Sequence, residues 1–278
     1  MSNLIDQKNN LEILISTTGK NDIDFIENIF FENNYESFPI LIVNQSDKII
    51  KNDNENIKII NTDSRGLSLS RNLAIKNSSK KYCLLADDDI VYKEGFYENI
   101  LNAFEQNINA DVITFMMVDE KGNLFKKYSE NMNHNYKSIR EVNSVVIAFK
   151  RESVIKNNIE FDPLFGLGGT FETGEEYLFL RNCLEKKLKV LFRPKIILQH
   201  DSKSSGKLAF RDKNIFARAA IFHKIHGSLS YLKLLHHIYL LKRKNLIGCS
   251  DFINKFLVGL EGIKKFKSIW IQESMISS

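Results

Sequence analysis

Two clusters of carboxylates in this chain have types and spacing suited to chemistry. Asp87-Asp88-Asp89 follows directly on the apolar run 81–86, and Glu175-Glu176 opens a stretch with helical spacing. Three adjacent carboxylates at the end of a buried strand repel one another, and no fold requires them. A divalent cation relieves the conflict, because Mg²⁺ or Mn²⁺ takes a few carboxylate oxygens together with phosphate oxygens of a substrate. Such an ion would offset the charge on a diphosphate leaving group. The competing reading is that the three aspartates begin a turn or cap a helix near Glu94. Glu175 and Glu176 have a purely structural explanation as well, since negative charge in the first turn is favoured by the helix dipole.

The elements that would position these residues follow from periodicity. Residues 11–17, 39–44, 57–61, 81–86 and 110–116 are short apolar runs that read as buried strands. Between them, 22–31, 66–77 and 94–106 carry apolar residues at helical spacing. Alternation of this kind predicts βαβ units and a mainly parallel sheet covered by helices on both faces. Ligands of such sheets bind beyond the carboxyl ends of the strands, where the aspartate triplet falls. Further along, 119–123 reads as a hairpin turn, 143–149 as a strand, 161–173 as an irregular loop and 175–186 as a helix. Two short strands are expected at 189–192 and 196–199, ending at His200, with basic helices beyond the polar stretch 201–207. With no internal repeat and no low-complexity linker, the organisation expected is an α/β domain over 1–206 and a helical extension over 207–278.

Composition narrows the classes. The chain has 278 residues, of which 43% are hydrophobic and 26% charged, as in a soluble globular protein with a sizeable core. No segment approaches the roughly 20 apolar residues of a membrane-spanning helix, and the first residues are polar, without the apolar segment of a signal peptide. A cytoplasmic location is expected. Cys83, Cys183 and Cys249 are far apart and form neither a disulfide framework nor a zinc motif. Charge is unevenly spread: from Asp201 onward there are 14 Lys and Arg against 5 Asp and Glu, net +9, whereas the preceding residues hold 25 against 29, net −4. The basic tail, with Leu and Tyr at helical spacing in 231–244, reads either as an amphipathic element lying on an anionic inner leaflet or as a helical hairpin packing on the core or a partner. It carries no nucleic-acid-binding motif, and no nucleic-acid partner is expected.

The segment 64–90 resembles the GT-A glycosyltransferases of the family 2 type. A stretch like Arg65-Gly66-Leu67-Ser68-Leu69-Ser70-Arg71-Asn72 opens a helix there and is followed by a strand and an Asp-x-Asp motif. A later Gly-Glu-Asp-type motif is matched by Gly174-Glu175-Glu176, and the similarity continues through Arg193-Pro194 to His200 and Ser204-Ser205-Gly206. Four weak motifs in the family's order make a specific match over about residues 11 to 207. The resemblance implies a GT-A fold, Rossmann-like with a mainly parallel central sheet, and an inverting transfer of a sugar from a UDP-sugar to a saccharide hydroxyl in bacterial surface polysaccharide synthesis. The acceptor would be lipid-linked if the tail meets a membrane, which makes the protein peripheral on the inner face.

By the same resemblance Asp89 is the direct ligand of Mn²⁺ or Mg²⁺, Asp87 contacts the donor ribose or a metal-bound water, and Asp88 is an alternative ligand. His200 is similar in position to a histidine that completes the metal sphere in part of the family; a neutral imidazole suits Mn²⁺ better. Glu176, with Glu175 as rival, falls where the family places the base that takes the acceptor's proton. Nucleotide contacts are expected from Thr17, Asn44, Asp63 and Arg71, with Arg65 a weaker phosphate contact; Asn44 stands where the family often has an acidic residue for the uracil. The glycines of 166–170 match neither a phosphate-binding loop nor a dinucleotide fingerprint, and read as a close approach to a sugar or as a simple turn. Two competing functions are a sugar-phosphate nucleotidyltransferase and a non-catalytic scaffold that binds nucleotide-sugars.

Overall fold

In the computed structural model the described residues are 10–201 and 210–276. The chain divides into two compact units, one of residues 1–163 and 175–204 and the other of residues 164–174 and 205–278. The expected Ser204-Ser205-Gly206 match lies outside the described residues.

The first unit is built on one eight-stranded sheet. In chain order the strands are β1 (Leu11–Thr18), β2 (Ile40–Gln45), β3 (Ile57–Asn61), β4 (Tyr82–Asp87), β5 (Ile90–Tyr92), β6 (Val112–Val118), β7 (Ile147–Lys150) and β8 (Val190–His200). Their spatial order is β3-β2-β1-β4-β7-β6-β8-β5. The β3-β2-β1-β4 half is parallel throughout, and β6 and β8 are also parallel; β7 runs antiparallel between β4 and β6, and β5 antiparallel at the far edge. Ile13, Leu14 and Ile15 of β1 and Leu84 and Leu85 of β4 are at most 1% exposed, which is why these strands read as continuous apolar runs instead of alternating ones. Register sets the functional edge. Thr17 pairs with Asn44, and Ser16 with Asp87, so the polar ends of three parallel strands lie side by side.

The helices of this unit are α1 (Phe25–Ile29), α2 (Leu67–Asn77), α3 (Phe96–Gln106), α4 (Arg151–Lys156) and α5 (Glu175–Glu185). Several expected boundaries move. The helix expected over 22–31 is only α1, because the chain leaves helical geometry at Phe30, whose ring joins an aromatic cluster with Phe38, Tyr92 and Phe96. The strand expected at 143–149 is a 3₁₀ turn (Ser144–Val146) followed by β7. The two short strands expected before His200 are the single β8. Its register against β6 slips around Arg193-Pro194-Lys195, because Pro194 has no N–H to give to the ladder and bulges outward. The three-residue strand β5, directly after the aspartates, carries no sequence signal of its own.

The second unit holds α6 (Asp212–His226), α7 (Ser230–Arg243) and α8 (Asp251–Ile276) around a core of its own, with Ile215, Leu234, Ile238 and Ile263 among its buried members. Gly262 is needed there because a Cβ would stand 2.2 Å from the Phe216 carbonyl oxygen. Among the described residues no helix is long and apolar enough to cross a membrane.

β5 is anchored by stacking of Tyr92 on Phe96, with ring centroids 4.0 Å apart, and by the Asn33 amide donating to the Tyr92 carbonyl at 3.0 Å. Phe96 is fully buried. Phe96→Ala is expected to lower unfolding stability by about 3–5 kcal/mol, read as a lower urea midpoint, because the cavity opens beneath the strand that fixes the acidic turn.

Candidate active site

The aspartate triplet straddles a turn. Asp87 ends β4, Asp88 and Asp89 form the turn, and β5 begins at Ile90. The N-cap of α3 is Gly95, so the aspartates do form a turn but do not cap that helix. β5 pairs with β8 so that Ile90 faces His200. The His200 Nε2 atom then lies 3.6 Å from Asp89 Oδ1, and its Nδ1 is 2.9 Å from the Asp201 carbonyl oxygen. A carbonyl there accepts from Nδ1–H, which leaves the Nε2 lone pair directed toward Asp89. Asp89 is the most open of the three, with 65% of its side chain exposed. Its carboxyl is held above the ordinary range by desolvation, with His200 opposing the rise and Asp87 and Asp88 adding to it. An open carboxylate strained by its neighbours beside an imidazole nitrogen is a donor set that fits a divalent cation with phosphate oxygens completing its shell. Among the described residues no group of three or more His, Cys, Asp or Glu is arranged as a metal cluster, so protein ligation would rest on these two side chains.

Arg71 joins this turn to the second acidic motif. It projects from α2, its side chain is 1% exposed, and one Nη donates to Asp87 at 2.9 Å and to Ser144 Oγ at 2.8 Å. The other Nη donates to Glu175 at 3.0 Å. The guanidinium also lies 5.4 Å from the centroid of the Phe161 ring, which stacks on Phe179. Next to it, the Asn72 amide both donates to and accepts from the backbone of Phe161 at 2.8 Å. The sequence reading put Arg71 at the base or the diphosphate. The structure has it sealed beneath the site, where desolvation lowers its pKa and the charges of Asp87 and Glu175 more than restore it.

Glu175 is taken up by Arg71, and Glu176 is the second carboxyl of this motif. It is only partly buried and lies beside Glu175. Desolvation first, and then the Glu175 charge, push its pKa up to about 8. Gly174, just before α5, is required twice over: its φ is +90°, and a Cβ would meet the Ile221 Cδ1 atom at 2.4 Å.

The expected nucleotide contacts divide. Thr17 donates through Oγ1 to Asp88, which also meets Lys20 Nζ at 3.5 Å, and Asp63 is exposed at the same sheet edge. Asn44 is fully buried and gives its amide protons to Asn61 and to the Lys48 carbonyl, pinning the loop after β2. Asn44, one of the expected nucleotide contacts, is thus turned inward, with its Oδ1 buried and without a hydrogen bond among the described residues. Arg65 pairs with Asp47 on the surface. The glycine segment 166–170 belongs to the second unit and is closed by its own backbone, Gly166 N–H donating to the Phe171 carbonyl and Phe165 stacking on Phe171 at 5.0 Å; the simple-turn reading applies. Lys20 and Ser144 were not found by sequence reasoning, since neither lies in a motif and each meets its partner only through the fold. A cavity of about 40 Å³ beside Thr114, Lys126 and His134 has room for a water or two and not for a nucleotide.

Arg71→Met removes the guanidinium that bridges Asp87 and Glu175. Breaking a buried ion pair from one side typically costs about 3–5 kcal/mol. The expected outcome is a comparable fall in unfolding free energy, with Arg71→Lys intermediate because a single ammonium cannot span both carboxylates. Denaturant titration of the two variants checks the order.

Solved structures of similar architecture include S. aureus TarS 1-349, with a TM-score of 0.59 and 14% identity over 91% of this chain and 80% of that one. The same protein in complex with UDP-GlcNAc gives a TM-score of 0.57 at 13% identity, covering 91% of this chain and 81% of that one. Its complex with UDP gives 0.53 at 11% identity, covering 95% and 91%. At such identities these matches establish a shared fold. No curated protein matches the sequence significantly. The profile described as glycosyl transferase family 2 matches residues 25–171, more than half of the chain and spanning Arg71, the aspartate turn and β5 to β7, and the chain belongs to that family.

Proposed function

We propose that this glycosyltransferase is an inverting, metal-dependent enzyme that moves a sugar from a UDP-sugar to a saccharide hydroxyl, in the building of a bacterial surface polysaccharide. One observation carries the reading: a single buried guanidinium holds Asp87 and Glu175 together, leaving Asp89 beside the His200 imidazole and Glu176 beside Glu175, one carboxyl from each motif without a Lys or Arg ion pair among the described residues. The structures of TarS in complex with UDP-GlcNAc and with UDP support a uridine nucleotide as donor.

In this reading Asp89 and His200 hold Mn²⁺ or Mg²⁺. The ion supplies neutralisation of the diphosphate as the sugar leaves it. Thr17 and Asp88 form a polar rim for the nucleotide at the ends of β1 and β4, and Asp63 contributes at the end of β3. Glu176 takes the proton from the acceptor hydroxyl as that oxygen attacks the anomeric carbon, so inversion requires only this one displacement. Glu175 is committed to Arg71 through its ion pair at 3.0 Å and is left out of the transfer.

Calorimetric titration of UDP into the protein tests the donor site. Binding is expected with Mn²⁺, is expected to disappear with excess chelator, and to be at least tenfold weaker in Asp89→Ala. Metal-independent binding of equal strength in the variant would remove Asp89 and the cation from the reading.

Glu176 is tested by pH. Its carboxyl, raised to about 8 in the folded chain, must lose its proton to act, so transfer is expected to rise through neutral pH toward that value. The stability sign is opposite. A carboxyl raised on folding favours the folded state while protonated, and that stabilisation fades as pH climbs from the ordinary carboxylate range toward about 8. Glu176→Gln should therefore lose about 10²–10⁴-fold in transfer rate while melting no lower than the parent under alkaline conditions. Initial rates and Tm measured across pH separate the two effects.

A further inference from the structure

Residues 213–250 contain seven Lys and Arg, four His and no Asp or Glu. Within that stretch α7 buries Leu234, Ile238 and Leu241 in the core of the second unit. Its opposite side is left bare, with Leu232 66%, Leu235 45% and Tyr239 50% exposed at helical spacing. Leu229 and Leu246 extend the stripe at its two ends, at 58% and 43% exposure. Lys233, Lys242, Arg243 and Lys244 are exposed beside it.

We propose that this face of α7 docks on an anionic lipid surface. A scattered exposed leucine is ordinary, but an aligned stripe of them marks a contact surface. Charge complementarity selects the occupant. A second copy of the chain meeting this face about a two-fold axis would bring two carboxylate-free cationic segments together. A nucleic acid would engage the lysines and leave the leucines in water. A bilayer of acidic phospholipid engages both groups: the leucines and the tyrosine ring enter the headgroup–acyl boundary, and the flanking Lys and Arg reach lipid phosphates along their aliphatic stems. Among the described residues no helix can span a bilayer, so the contact lies on the surface. This inference is independent of the sugar-transfer reading, since it involves none of the residues of the acidic motifs.

The test is co-sedimentation of the full chain with phosphatidylcholine vesicles, with and without added phosphatidylglycerol. The expected result is binding that requires the anionic lipid and weakens as salt is raised. The double variant Leu232→Asn, Leu235→Asn should bind at least tenfold more weakly while its melting temperature and UDP binding stay those of the parent, since both side chains are exposed. Lys242→Gln, Arg243→Gln should lose the preference for anionic lipid. Three results would overturn the proposal: no sedimentation with either vesicle, binding of the Leu variant equal to the parent, or a dimer in light scattering that the Leu substitutions dissociate. A mobility shift with random DNA, lost in the Leu variant, would likewise give the face to another partner.

Discussion

The buried guanidinium of Arg71 is the constraint on which the rest of the site depends. A fully desolvated cation is tolerable only if its charge is met at close range and its donors are bonded. Here the two Nη groups are met by Asp87 from the end of β4, Glu175 from the start of α5 and Ser144 from the turn before β7. Those three elements are 16, 104 and 73 residues away along the chain. Meeting both Nη groups of one side chain, whose Nε stays buried without a hydrogen bond among the described residues, therefore fixes where two acidic motifs stand relative to each other. Asn72 extends the same lock by pairing with the backbone of Phe161. The stretch from Arg65 to Asn72, read in sequence as the opening of a helix, works in the folded chain as a knot beneath the site.

The knot also divides labour among the five carboxylates of the two motifs. Asp87 and Glu175 are committed to Arg71, and Asp88 to Thr17 and Lys20. Asp89 and Glu176 are the carboxyls whose pKa values are raised, the first by desolvation and its aspartate neighbours, the second by desolvation and Glu175. Each acidic motif thus contains one carboxylate left under stress, beside two already held by the protein in the aspartate triplet and one in the glutamate pair. Stress of this kind is what a substrate or cation can relieve, whereas a carboxylate already paired has little to gain from a ligand.

Much of the scaffold was legible because buried parallel strands write themselves as continuous apolar runs: β1 to β4 and β6 fall within two residues of their expected bounds. The mainly parallel sheet and the position of the aspartates at its carboxyl edge follow from that pattern alone. What was hidden depends on contacts between distant residues. β5 has three residues and forms only because β8 offers a partner from Leu198 to His200. β8 looked like two strands because Pro194 interrupts a ladder that a bulge can carry across. Asn44 and Arg71 sit at positions where polar residues commonly face a ligand, and burial, which no local pattern encodes, turned both inward. The division of the chain into units is likewise non-local, since residues 164–174 group with the C-terminal helices though they lie before α5 in sequence.

Local rules and global need conflict at one place in this fold, and the conflict is itself informative. Adjacent glutamates in the first turn of α5 satisfy the helix dipole, yet Glu176 is driven toward its neutral form by burial beside Glu175. If the dipole alone explained the pair, an exposed first turn would serve as well and neither side chain would need desolvation. Burying Glu175 is explained by Arg71. Keeping a second, partly buried carboxylate beside it raises that group's pKa and gains no ion pair among the described residues, so packing gives no account of it. A residue held against the preference of the fold is expected where function sets the requirement.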